Sequence, residues 1–91
     1  MLPCFFLKGE VMYPTRWKSI AYKIAPIINE MRKRGINSFD NYDVYLVALK
    51  NNFCDEVHEM KQKTAGRNIA KHLESMNVFA YYSKFHGWVT Y

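Results

Sequence analysis

Cysteine, glycine and proline are all scarce in this chain, and each shortage excludes a class of protein. Two cysteines, Cys4 and Cys54, in 91 residues cannot build the disulfide framework of a small secreted domain, so free thiols and a reducing compartment are expected. The four glycines, Gly9, Gly35, Gly66 and Gly87, are isolated, which leaves neither a Walker loop nor a dinucleotide-binding glycine motif. With three prolines and no Pro/Gly/Ser-rich stretch, order is expected through most of the length. No apolar run approaches the length that spans a bilayer. Residues 1–7 are apolar but lack a basic flank and are too short for a secretory signal. The expectation is a soluble protein of the cytoplasm, the host cytoplasm if the source is viral.

What is present is apolar and basic. Nearly half the residues, 49%, are hydrophobic, enough for one domain with a core that needs neither metal nor disulfide, though small enough that a homodimer would help it. The net charge of +5 is unevenly spread. Residues 1–39 carry seven basic and two acidic groups, 40–60 one and five, and 61–91 five and one. A basic chain with an acidic insert points to a polyanion on one surface and a different partner, such as a protein, on the acidic segment 40–59.

Residues 1–12 show no helical or strand period and are set apart as an N-terminal arm, with the domain proper over 13–91. One reading makes Met12 the natural start, the codons of Lys8, Gly9 and Glu10 holding a purine-rich ribosome-binding sequence, which would imply a prokaryotic or viral source. The other makes the segment an arm packed on the domain. Over residues 16–34, Trp17, Ile20, Ile24, Ile27, Ile28 and Met31 keep one apolar stripe, which predicts a helix kinked at Pro26 rather than broken there. Arg32, Lys33 and Arg34 complement its C-terminal dipole or contact phosphate, and Gly35 stops it. Residues 36–39 are extended in character. Asp40 or Asn41 can cap a second helix to about Lys50, with Tyr45, Ala48 and Leu49 facing inward and Asn51-Asn52 ending it.

Phe53, Val57 and Met60 have helical spacing but lie about half a turn out of phase with Ile69, Leu73 and Met76. That mismatch predicts a break between Lys61 and Thr64 and a fresh helix capped by Thr64, so that residues 54–60 and 65–76 form a helix-turn-helix. Lys63, Arg67 and Lys71 share another face of the last helix. Asn77 tolerates the left-handed conformation that closes a helix. Residues 78–83 and 88–91, rich in β-branched and aromatic side chains, flank the short turn Lys84-Phe85-His86-Gly87 and predict a hairpin.

Helix then hairpin, after two or three shorter helices, resembles the winged helix-turn-helix DNA-binding family, the resemblance resting on Thr64, Ile69, Leu73, Met76 and Val78 with the hairpin as wing. It implies an α+β fold in which a short strand at 36–39 pairs with the wing, the last helix enters the major groove of double-stranded DNA, and the protein acts in transcription regulation without cofactor. On the matching positions Gln62, Lys63, Thr64, Arg67, Asn68 and Lys71 would face the groove, Arg67 reading guanine and Asn68 adenine, while Lys84 and His86 supply the wing contacts. The chain departs from the pattern in having Asn77 where many members have Gly, and a longer gap between the second and third helices.

Other chemistries fit less well. Cys54 and His58, at i and i+4, are half of a zinc site whose completion would need His72, His86 or Cys4, and no second pair has metal spacing. No catalytic grouping can be singled out, and 91 residues leave little room for a buried pocket, so no enzyme, metal or cofactor is expected. Phe79, Tyr81, Tyr82, Phe85, Trp88 and Tyr91 cannot share one face of a ribbon; the surplus is left for a dimer mate or for base stacking. The alternative function is a protein-binding module, such as a viral inhibitor of a host complex, that offers Asp40, Asp43, Asp55, Glu56 and Glu59 to a basic partner.

Overall fold

The computed structural model describes the backbone of residues 8–91 and the side chains from Arg16 onward. Residues 1–7, with Cys4, lie outside the described part. Helix α1, Lys8–Lys33, is unbroken and takes in residues 8–12, so that part of the expected arm is helical backbone. Most of its stripe is buried as the spacing predicts, with Ile20, Ile24 and Ile28 in the core and Trp17 and Met31 packed at its margin, while Ile27 is only half-buried. The helix closes when the Gly35 amide donates to the Arg32 carbonyl at 2.9 Å.

Helix α2, Asn41–Lys50, begins with a reciprocal capping box, in which the Asp43 amide donates to the Asp40 carboxylate at 2.8 Å and the Asp40 amide to Asp43 at 3.1 Å. Two orphan amides of the first turn are thereby satisfied. Val44, Tyr45 and Ala48 face the core, while Leu49 is only half-buried.

The next segment corrects the sequence reading. Residues 51–58 are not a helix but a loop, and helix α3 runs without a break over Glu59–Ser75. Its cap is His58, whose Nδ1 accepts from the Met60 amide at 3.2 Å; Thr64 lies a turn inside. The phase conflict between Met60 and Ile69 was real, but the chain resolves it by leaving Met60 83% exposed. Tyr45, itself buried, ties the loop down by accepting from the Val57 amide at 3.0 Å. The expected helix pair 54–60 and 65–76 is therefore not formed, and the loop instead joins α2 to α3.

After α3 the chain reverses at Asn77, φ 65°, and the Val78 amide reaches back to the Leu73 carbonyl at 2.9 Å. Strands β1 (Ser38–Phe39), β2 (Phe79–Ser83) and β3 (Gly87–Thr90) form an antiparallel sheet in the order β1-β3-β2. An irregularity between Phe79 and Tyr81 shifts the alternation. Phe79 and Tyr82, three residues apart, thus pair opposite Thr90 and Trp88 on one face, as a bulge allows. That face supplies Phe39, Phe79 and Trp88 to a core shared with Ile24, Ile28, Ile69 and Leu73. The layout is α+β, three helices with a three-stranded sheet ending in a hairpin, and is compatible with a winged helix. Among the described residues no helix is long and apolar enough to cross a membrane.

Candidate nucleic-acid interface

Burial of Ala65, Gly66, Ile69, Ala70 and Leu73 orients α3. Each residue turns a helix by about 100°, so Lys63, Arg67 and Lys71 fall opposite Ile69, and all three are exposed together with Met60 and Thr64. Neither Arg67 nor Lys71 is held in an ion pair among the described residues. The structure thus gathers Lys63, Arg67 and Lys71 on one outward face, with Thr64 at its edge.

Gln62 and Asn68 do not join them. Gln62 is half-buried and its Nε2 donates to the Val57 carbonyl at 3.2 Å, serving the α2–α3 loop. Asn68 is half-buried on the α1 side, in a groove that it shares with Arg16, Trp17, Lys61 and Thr64. The cause is helical phase: a residue adjacent to the fully buried Ile69 sits about 100° from the core direction and meets a neighbouring helix rather than open solvent.

Lys84, Phe85 and His86 form the turn of the wing, held by the Ser83 hydroxyl oxygen, which accepts from the amides of Phe85 (3.1 Å) and His86 (3.2 Å). All three turn side chains are exposed, Phe85 at 92%. The wing meets α3 nearer its base. There Arg67 and Lys71 line a notch of 370 Å³ with Asn41, Tyr82 and Trp88. The indole Nε1 of Trp88 donates to Asn41 Oδ1 at 2.8 Å, and the Tyr82 ring stands edge-on to Trp88 at 5.1 Å. The roles of Asn41, Tyr82 and Trp88 were not evident from spacing, because Asn41 and Trp88 meet across 47 residues of chain. The available signal was general: a buried indole N–H needs an acceptor.

Most of the acidic side chains occupy other ground, but Glu74, exposed three residues beyond Lys71, falls on the same outward face of α3. Asp40 and Asp43 are engaged with each other's amides at the start of α2, while Asp55, Glu56 and Glu59 are exposed on the loop and the first turn of α3. Among the described residues no three of His, Cys, Asp and Glu come close enough to hold a metal ion. Cys54 is half-buried, and burial pushes its thiol pKa up, with Arg16 opposing and Asp55 reinforcing the shift. No family model, curated protein or solved structure matches this chain.

Proposed function

We propose that this domain binds double-stranded DNA, with α3 laid in the major groove and the wing against the backbone, as a transcription regulator without cofactor. The observation that carries the reading is the common outward face of Lys63, Arg67 and Lys71 on a helix whose opposite face is fully buried. A rigidly seated helix with three cations unpaired among the described residues is suited to the width of the major groove. Lys63 and Lys71 hold phosphates, Arg67 is the base-reading side chain, and Thr64 is a marginal contact. Lys84 extends the cationic surface along the wing, and His86 beside it offers an imidazole N–H for a backbone contact. Gln62, bonded to the α2–α3 loop, and Asn68, turned toward α1, take no part.

Fluorescence anisotropy with a mixed-sequence 20-base-pair duplex tests this between about 50 and 200 mM salt, where each phosphate contact contributes roughly 0.9 to the slope of log affinity against log salt. Alanine at Lys63, Lys71 or Lys84 should make the slope shallower by about that amount. Undetectable duplex binding at low salt, or a slope indifferent to all three substitutions, would overturn the reading.

A second reading is favoured by one observation: Asp55, Glu56 and Glu59 form an exposed acidic rim on and beside the α2–α3 loop. Such a rim repels phosphate and suits a basic protein partner. If the duplex does not bind, the acidic rim becomes the better guide to the partner.

A further inference from the structure

The notch between α3 and the wing has a construction that the basic face of α3 does not need, and its chemistry is that of an anion site. Three elements are forced together around the Phe39–Asn41 corner by two glycines. A Cβ on Gly66 would stand 1.7 Å from the Asn41 carbonyl oxygen, so α3 touches the start of α2 backbone to backbone. A Cβ on Gly87 would stand 2.6 Å from the Phe39 carbonyl oxygen and 3.0 Å from the Asp40 Cα, so β3 is pressed on the same corner. Between these contacts, Asn41, Arg67, Lys71, Tyr82 and Trp88 surround the 370 Å³ notch.

The polarity of the notch follows from one hydrogen bond. An indole N–H can only donate, so the Trp88 bond at 2.8 Å places the Asn41 amide oxygen toward the ring. The Asn41 Nδ2, with two N–H donors, is left with no partner among the described residues. Tyr82, 52% exposed and steadied by Trp88, adds a hydroxyl. Arg67 and Lys71 add two positive charges, and among the described residues no carboxylate lines the notch. Donors from three elements, two of them charged, suit a tetrahedral monoanion, and the adjoining Asp40 carboxylate is occupied in accepting from the Asp43 amide at 2.8 Å.

We infer that this notch seats one backbone phosphodiester of the bound DNA, with Asn41 and Tyr82 as phosphate contacts beside Lys71. This rests on the duplex-binding reading and adds that the α3–wing junction, not the wing tip alone, fixes the register of the strand.

Two substitutions change the notch without dismantling it. Asn41→Asp keeps an oxygen acceptor for the Trp88 indole but replaces the amide donor with a carboxylate oxygen. Tyr82→Phe keeps the edge-on ring contact and removes only the hydroxyl. The control is Asn52→Asp, which adds the same charge on an exposed side chain past the other end of α2, about 15 Å away by helix rise and beyond a Debye length at physiological salt. With the mixed-sequence duplex at 0.1 M salt, Asn41→Asp should weaken binding about tenfold or more and Tyr82→Phe about threefold, while Asn52→Asp stays within about twofold of wild type. Thermal melts should show all three folded. Wild-type binding that survives in Asn41→Asp and Tyr82→Phe as well as in Asn52→Asp would overturn the notch but leave duplex binding standing. Equal losses for Asn41→Asp and Asn52→Asp, with none for Tyr82→Phe, would reduce the effect to net charge and overturn it as well. Failure of the wild type to bind any duplex would remove both readings together.

Discussion

Replacing Gly66 by alanine tests the α2–α3 crossing on which both the basic face and the notch depend, because helix propensity and tertiary packing predict opposite signs. Gly66 lies inside α3, where alanine is favoured over glycine by about 1 kcal/mol. A Cβ there would stand 1.7 Å from the Asn41 carbonyl oxygen, 2.7 Å from its carbon and 3.2 Å from the Tyr45 amide nitrogen. Carbon and oxygen approach comfortably to about 3.3 Å, so the two helices would have to part by roughly 1.5 Å. The obstacle is backbone in the capped first turn of α2, which cannot swing aside as a side chain would. A gap well under that width already forfeits a quarter to a half of each dispersion contact along it, here around Ile69 and Val44, both fully buried. The cost should reach the upper end of the overpacking range, about 3 kcal/mol or more. Set against the propensity gain, the net loss is about 2 kcal/mol or more, a fall in Tm of roughly 8–16 °C for a domain of this size. Urea denaturation followed by circular dichroism measures it, with Gly35→Ala as comparison. A Cβ at Gly35 meets nothing within 4 Å, and only φ +94° opposes it, a strain of about 1–2 kcal/mol. A Gly66→Ala protein more stable than wild type would refute the crossing.

Three further outcomes are expected. Leu73→Ala should cost about 2–5 kcal/mol as a buried truncation, and Arg67→Ala within about 0.5 kcal/mol as an exposed one; equal denaturation midpoints would reverse the assigned faces of α3. Asp40→Ala should lower stability by about 1 kcal/mol through loss of the α2 cap, whereas Thr64→Ala, inside α3, should leave the melt unchanged or slightly higher; a large loss at Thr64 would restore a helix start there. The thiol of Cys54 ionises less readily when folded because burial disfavours the thiolate. Its stabilising contribution is therefore intact below the unfolded thiol pKa of about 8.5 and fades as pH rises toward the higher folded value. In a Cys4→Ser background, iodoacetamide at pH 8 should alkylate the native protein more slowly than the urea-unfolded one, and an equal rate would contradict the burial.

The periodicities that read correctly were those in which one face of an element alone had to be buried. Ile20, Ile24 and Ile28 marked α1, and Ile69 and Leu73 the inner side of α3, while the β-branched and aromatic runs on either side of the turn at Lys84 marked the hairpin. A cap at Asp40 or Asn41, of which the structure takes Asp40, and the turn at Asn77 were legible because capping and left-handed turns are settled within a few residues. The region from Phe53 to Thr64 was not. Spacing there registered a conflict between two apolar stripes but could not tell whether the chain would break the helix or expose one residue. Exposing Met60 became the cheaper course once Tyr45, from α2, captured the Val57 amide.

The same division runs through the candidate site. The sequence by itself determined that Lys63, Arg67 and Lys71 share a face, since a helix repeats every 3.6 residues wherever it is placed. It could not place Gln62 and Asn68, whose surroundings belong to the α2–α3 loop and to α1, nor foresee Asn41, Tyr82 and Trp88 beside Arg67. Those depended on where α2, α3 and β3 cross. The crossing was decided in three dimensions by Gly66 against the Asn41 carbonyl and Gly87 against the Phe39 carbonyl, contacts between backbones that leave no period in the chain to read.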